Sequence, residues 1–183
     1  MARNIEIKAR IASVEALLPR ARGVAGGEPQ LIEQDDSFFH VAHGRLKLRQ
    51  FADGSAELIH YHRADTGQAK ASDYVRVAVP AAAALREALV RGCGLLGRVV
   101  KRRWLLMAGQ TRIHLDRVEG LGDFMELEVV LSEGQSDANG AAVAEALMSR
   151  LGLDDAERIA GAYLDLLRDQ ATGSAEIASA GNP

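Results

Sequence analysis

Ionisable residues recur at every second position through much of this chain. Glu6 is followed by Lys8, Arg45 by Lys47 and Arg49, Lys101 by Arg103, Arg112 by His114 and Asp116, and Glu126 by Glu128. In an extended chain, residues two apart point to the same side, so each set forms one charged strand face. Guanidinium and ammonium groups hold phosphate oxygens, and carboxylates hold hard cations such as Mg²⁺. Strand faces that are mainly basic, as Arg45–Arg49, or mainly acidic, as Glu126 and Glu128, therefore suit a polyanion that travels with its cations. The plain alternative is a set of half-buried strands with solvated outer faces.

Positioning these residues requires the strands that carry them. Ile5, Ile7 and Ile11 alternate with Asn4, Glu6, Lys8 and Arg10, which predicts a first strand. Ser13 can cap a short helix through Val14, Leu17 and Leu18. Extended segments follow at Leu31–Val41, Arg45–Arg49, Glu57–Arg63 and Tyr74–Val79, with a hairpin signal at Asp53-Gly54. Ala81–Arg91 reads as a helix, then Arg98–Met107, Arg112–Val118 and Phe124–Leu131 as strands. A helix from Asn139 or Gly140 to Leu151 and a last one from Asp155 to Arg168 complete the order. The pattern is α+β, with about eight hairpin-linked strands in an antiparallel sheet. It predicts one domain over residues 1–170 and a flexible tail over 171–183.

Composition narrows the function classes. The 183 residues carry a net charge of −3 and only 4% aromatics, which disfavours nucleic acid as a partner. No apolar run approaches the ~20 residues of a membrane span. A single cysteine, Cys93, excludes an internal disulfide and fits a reducing cytoplasm. The assembly state is left open, a homodimer being the commonest arrangement for such a domain.

Amphipathic helices are available for the Ile, Leu and Val faces, so the charged faces either meet water or surround a polar lumen. Closing ~8 strands gives an interior about as wide as one small ligand. Burying so many ions without partners costs several kcal/mol each, so such a lumen is expected to hold an occupant.

The segments Arg3–Arg10, Asp36–Phe39, Gly44–Arg49, Lys101–Arg103 and Ile113–Glu128 together resemble the CYTH family, the triphosphate tunnel metalloenzymes, nearest its class IV adenylyl cyclase branch. The likeness runs from Asn4 to the Ala162–Leu167 helix. It implies a closed eight-stranded antiparallel β-barrel with helices packed on its outside, binding a small-molecule triphosphate with Mg²⁺ or Mn²⁺. By the same resemblance Glu6 and Lys8 are catalytic, and Glu6, Asp116, Glu126 and Glu128 are metal ligands. Arg45, Lys47, Arg49, Arg63, Arg76, Lys101, Arg103 and Arg112 are the substrate-binding bases. Asn4 departs from the family, standing where its first glutamate would be, and Arg63 stands in for a lysine. Asp36 matches a family aspartate without a catalytic assignment.

The expected activity is class IV adenylyl cyclase-like, converting ATP to cyclic AMP and pyrophosphate. A triphosphatase acting on tripolyphosphate, thiamine triphosphate or a nucleotide is the alternative, and a non-catalytic polyphosphate sensor, suggested by Asn4, is the third reading. Lys8 is either a phosphate-binding lysine or, with its pKa depressed by neighbouring bases, a proton acceptor. His60 and His62 lie opposite Tyr61 and Arg63, which points outward. Trp104 is expected to pack under a helix, and Cys93 to be structural.

Overall fold

The computed structural model describes residues 3–62 and 73–180. The eight strands are β1 (Arg3–Arg10), β2 (Gln30–Phe39), β3 (Arg45–Phe51), β4 (Ala56–His62), β5 (Asp73–Ala78), β6 (Leu95–Ala108), β7 (Thr111–Val118) and β8 (Gly122–Leu131). The helices are α1 (Val14–Ala25), α2 (Ala82–Cys93), α3 (Asp137–Leu151) and α4 (Tyr163–Ala180). The strands form one sheet in the order β1-β8-β7-β6-β2-β3-β4-β5, and every pairing is antiparallel.

The sheet is strongly curled. Strands β1 and β6 are three ladder steps apart, roughly 14 Å in a flat sheet, yet Lys8 and Lys101 both sit over the ring of Tyr163, with Nζ 4.6 and 5.3 Å from its centroid. The outer face is the apolar one. Against it α1 and α3 bury Val14, Leu17, Leu147, Met148 and Leu151 on Ile113, Leu115, Met125 and Leu127, and Trp104 packs at the edge of this cluster. Further round, α2 covers Phe39, Leu48 and Ala56, with Cys93 packed among its residues. Ser13 and Ser136 cap α1 and α3 by accepting the N–H groups of Ala16 and Asn139, and Gly26 and Gly152 end them in the left-handed conformation.

Two expectations are corrected. The sheet does not close: among the described residues β1 and β5 share no ladder. The outward edge of β1 is taken instead by residues 157–159, where Arg10 N–H donates to Glu157 O (3.0 Å) and Ile159 N–H to Lys8 O (2.9 Å). Once those groups are satisfied by this distant segment of the chain, that stretch of β1 has nothing to offer β5. Alternation reports a strand's faces and carries no information about its edges.

The last helix also differs. Residues 157–159 are extended, and α4 begins at Tyr163 rather than Asp155 and runs to Ala180. Its first turn packs on the charged side of the sheet, not outside, where Tyr163 and Leu164 meet Phe38, Val99, Val118, Leu121 and Phe124. Gly97 makes room for it, since a Cβ there would lie 2.5 Å from Leu164 Cδ1. An apolar patch is thus embedded in the face that carries the ions.

Candidate phosphate-binding site

Directly opposed residues of an antiparallel pair share a face, so the ladder registers fix which side chains look the same way. Glu6 opposes Glu128, which opposes Arg112; Lys8 opposes Glu126, which opposes His114. Asp116 opposes Arg103, Asp36 opposes Arg49, Phe38 opposes Lys47, and Ile59 opposes Arg76. Followed from strand to strand, these registers place Glu6, Lys8, Arg45, Lys47, Arg49, Arg76, Lys101, Arg103, Arg112, Asp116, Glu126 and Glu128 on one side of the sheet. Arg63 lies outside the described residues. His60 is on the other side, with Nε2 3.0 Å from His43 O.

The centre of this face is a chain of ion pairs. Asp36, 2% exposed, accepts Arg49 Nε (2.7 Å) and a terminal nitrogen (2.7 Å), together with Lys47 Nζ (2.8 Å). Asp116, fully buried, accepts Arg103 Nε and a terminal nitrogen, each at 2.6 Å, and the Tyr163 hydroxyl at 2.9 Å, with Lys101 Nζ 3.8 Å away. The same Arg103 terminal nitrogen donates to Glu126 at 2.8 Å. The bases expected to await an occupant are neutralised by acids of the same face, so the buried charge is stable on its own terms.

Electrostatics follow from this packing. Burial pushes the Asp36 carboxyl up, but Lys47 and Arg49 outweigh it and hold the group well below the usual carboxylate range. Asp116 is lowered in the same way, burial being overcome by Lys101 and Arg103. Burial lowers Lys47 to about 8 against the pull of Asp36. Burial and the repulsion of Arg103 bring Lys101 to about 7. Burial, with Glu126 and Asp116 nearby, raises the Tyr163 hydroxyl and keeps it a donor. Burial and Arg103 lower His114, leaving its imidazole neutral.

The acid-rich end is looser. Lys8 Nζ stands 3.9 Å from both Glu6 and Glu126 and donates to Gly161 O at 3.0 Å. Its nearest polar partners are acceptors. Burial pushes the Glu126 carboxyl up, but Lys8 and the neighbouring polar groups outweigh it and hold the group below the usual carboxylate range. Glu128 accepts Asn4 Nδ2 at 2.7 Å and Arg112 at 3.0 Å. Asn4 thus donates a hydrogen bond to one of the expected metal ligands, where a glutamate would repel it.

Among the described residues, no three His, Cys, Asp or Glu side chains gather as a ready-made metal cage. The donor set still fits Mg²⁺ or Mn²⁺ of the substrate-borne kind. Mg²⁺ takes one or two carboxylates, keeps waters and completes its shell with substrate phosphates. The adjoining Glu6 and Glu126 carboxyls supply that pair, whereas the oxygens of Asp116 are already bonded.

Arg45 is drawn to Asp165 of α4 at 2.8 Å, and Arg76 lies 3.9 Å from Glu57 at the exposed end of the face. Tyr163 is the site residue that sequence reasoning missed. It is one aromatic in an ordinary helical pattern, and nothing in its spacing marks it. Asp36 was legible as a family aspartate, but without a role. A cavity of about 600 Å³ adjoins this site at Lys101 and Gln34 and is lined further out by Glu33, Asp35, Val100 and Arg102 among others, where Arg102 pairs with Glu33 at 2.9 Å.

The CYTH domain model matches residues 2–163. The chain belongs to the CYTH family. No curated protein matches it in sequence. Among solved structures this CYTH chain is similar to the PH1012 protein of Pyrococcus horikoshii OT3, with 26% identity over 90% of this chain and 99% of that one and a TM-score of 0.77. A candidate adenylate cyclase from Vibrio parahaemolyticus shares the fold, at 20% identity over 91% and 98% of the chains and a TM-score of 0.71. So does HpAC1 from Hippeastrum, an adenylyl cyclase candidate whose structure was described with a dominant triphosphatase activity, at 15% identity over 93% and 96% and a TM-score of 0.65. Enzymes of the CYTH family act as cyclases and triphosphatases and generally use divalent metals, and the arrangement of bases and acids here is equipment of that class. No described helix is long and apolar enough to cross a membrane.

Proposed function

We propose that this chain binds the triphosphate group of a small molecule on the charged face of its curled sheet and hydrolyses it with the help of Mg²⁺ or Mn²⁺. The observation that carries this reading is the convergence of Lys8, Lys47, Arg49, Lys101 and Arg103 with Glu6 and Glu126 on one face. Phosphoryl transfer needs little covalent help from a protein; positioning and charge neutralisation supply most of the catalysis.

The forked bases bind the equatorial phosphate oxygens and hold the chain of phosphates in line. Glu6 and Glu126 would hold the cation, which would supply neutralisation of charge on the phosphate oxygens. Lys8, fixed between Gly161 O and the two glutamates, donates to the phosphate end nearest them. Tyr163 and the apolar patch around Leu164 exclude water from one end of the site. Water attacks the terminal phosphorus, the bond to the bridging oxygen breaks, and orthophosphate and the shortened polyphosphate leave.

Cyclisation of ATP, the expectation drawn from the nearest branch, is the second reading. It is favoured by a small cavity of about 90 Å³ beside Arg45, lined by Phe38, Leu46 and Leu96 among others, which offers an apolar slot for a base. The test is incubation of the purified chain with Mg²⁺ or Mn²⁺ and tripolyphosphate, ATP or thiamine triphosphate in turn, resolving the products. Orthophosphate is expected. Cyclic AMP with pyrophosphate would establish the cyclase instead, and no product from any substrate would overturn both.

A further inference from the structure

The two hairpins that carry most of the bases are built alike. On β2–β3, Asp36 directly opposes Arg49 across the ladder, and Lys47 lies two residues along the same strand. On β6–β7, Asp116 directly opposes Arg103, and Lys101 again lies two residues away. Both aspartates are all but inaccessible to solvent, and both grip the arginine side-on through Nε and one terminal nitrogen at 2.6–2.7 Å. Each lysine is also drawn to its carboxylate, Lys47 at 2.8 Å and Lys101 at 3.8 Å.

We propose that Asp36 and Asp116 are equivalent positioning residues, each presetting one Lys-x-Arg fork for a phosphate group, and that Asp116 is not a metal ligand. A carboxylate offers about four acceptor sites. Asp36 has three occupied, and Asp116 has three with Lys101 close by. A cation at Asp116 would have to displace those donors and then sit against Arg103 and Lys101. The side-on grip leaves the second terminal nitrogen of Arg49 outside the carboxylate bond, and Lys47 keeps two further N–H donors. Four cations without the two aspartates would repel one another and scatter; with them, the forks are fixed before substrate arrives, which lowers the ordering cost of binding.

This inference rests on the proposed triphosphate function, and the experiment separates the two. Tripolyphosphate binding by calorimetry in excess EDTA, and Mn²⁺ binding without substrate, are measured for the native chain and for Asp36→Asn, Asp116→Asn and Glu126→Gln. Each aspartate variant should weaken metal-free tripolyphosphate binding by about tenfold or more, the value of charge-assisted hydrogen bonds, while its Mn²⁺ affinity stays within about twofold of native. Glu126→Gln should do the opposite. Loss of Mn²⁺ binding in Asp116→Asn, or undiminished tripolyphosphate binding in both aspartate variants, would overturn the inference alone. If the native chain binds no tripolyphosphate with or without Mn²⁺, the function itself fails. Side-chain carboxyl NMR of the native chain keeps the test open if a variant does not fold: Mg²⁺ should shift the Glu126 resonance and spare Asp36 and Asp116, and a shift of Asp116 comparable with that of Glu126 would refute the proposal.

Discussion

The charged face has two regions that treat their acids differently. In the arc formed by β2, β3, β6 and β7, Asp36 and Asp116 are sealed from solvent and bonded at 2.6–2.8 Å by guanidinium and ammonium groups. Along β1 and β8, the Glu6, Glu126 and Glu128 side chains keep 30, 14 and 23% of their exposure; Glu126 takes one short bond from Arg103 at 2.8 Å and Glu128 one from Asn4 at 2.7 Å, while Lys8 approaches Glu6 and Glu126 only to 3.9 Å. Short charge-assisted bonds in a dry setting lock geometry, whereas longer contacts near solvent exchange easily. A carboxylate can therefore serve as scaffold in one place and remain open to a cation a few strands away. The surroundings decide which.

Arg103 joins the two regions by bonding both Asp116 and Glu126, so it offers the sharpest way to break the contrast. Arg103→Met leaves two buried carboxylates short of a partner and should cost about 3–5 kcal/mol of stability. Urea denaturation reads this directly, and a loss under about 1 kcal/mol would mean that the pairs are exchangeable on both sides. Glu126→Gln should leave circular dichroism unchanged and cut metal-dependent turnover by roughly a hundredfold or more. Turnover near the native rate would return Glu126 to the scaffold class.

A smaller effect comes from pH. With Lys101 at about 7 and Lys47 at about 8, the free protein sheds both charges as pH rises through that range. A bound phosphate favours the charged forms, so binding at higher pH requires proton uptake. Metal-free tripolyphosphate affinity should therefore fall between pH 6.5 and 9, by at most about tenfold per unit for each lysine. Lys101→Arg should flatten the profile because guanidinium stays charged. The stability linkage runs the other way. Both lysines titrate lower folded than unfolded, so the unfolded chain binds more protons from about pH 7 to 10.5 and stability rises with pH across that window. A flat or rising affinity would deny these lysines contact with the ligand. The smallest change is expected outside the site, where Arg102→Ala breaks an exposed pair with Glu33 and should alter stability by no more than about 1 kcal/mol and leave turnover unchanged.

Much of the site could be read before the fold was known. Arg45, Lys47 and Arg49 alternate with leucines, and Glu126 and Glu128 alternate with Met125, Leu127 and Val129, so each set could lie on only one face of its strand. What alternation leaves open is the partner. Nothing in the spacing says that Asp36 binds Arg49 while Glu126 remains near Lys8, or that the late-strand Asp116 is buried and bonded by Arg103 and Tyr163. The open edge was missed because the groups that cover β1, on residues 157–159, lie in a stretch whose composition reads as helix. Tyr163 was missed because its importance comes only from where α4 enters.

The sequence by itself determined the sorting of charged from apolar faces, because a period of two in side-chain direction is a local property of extended backbone. Only the tertiary structure decided which ions neutralise each other, where the sheet ends and what covers it. Those depend on register and curvature that bring residues far apart in the chain within bonding distance, and no local pattern encodes them.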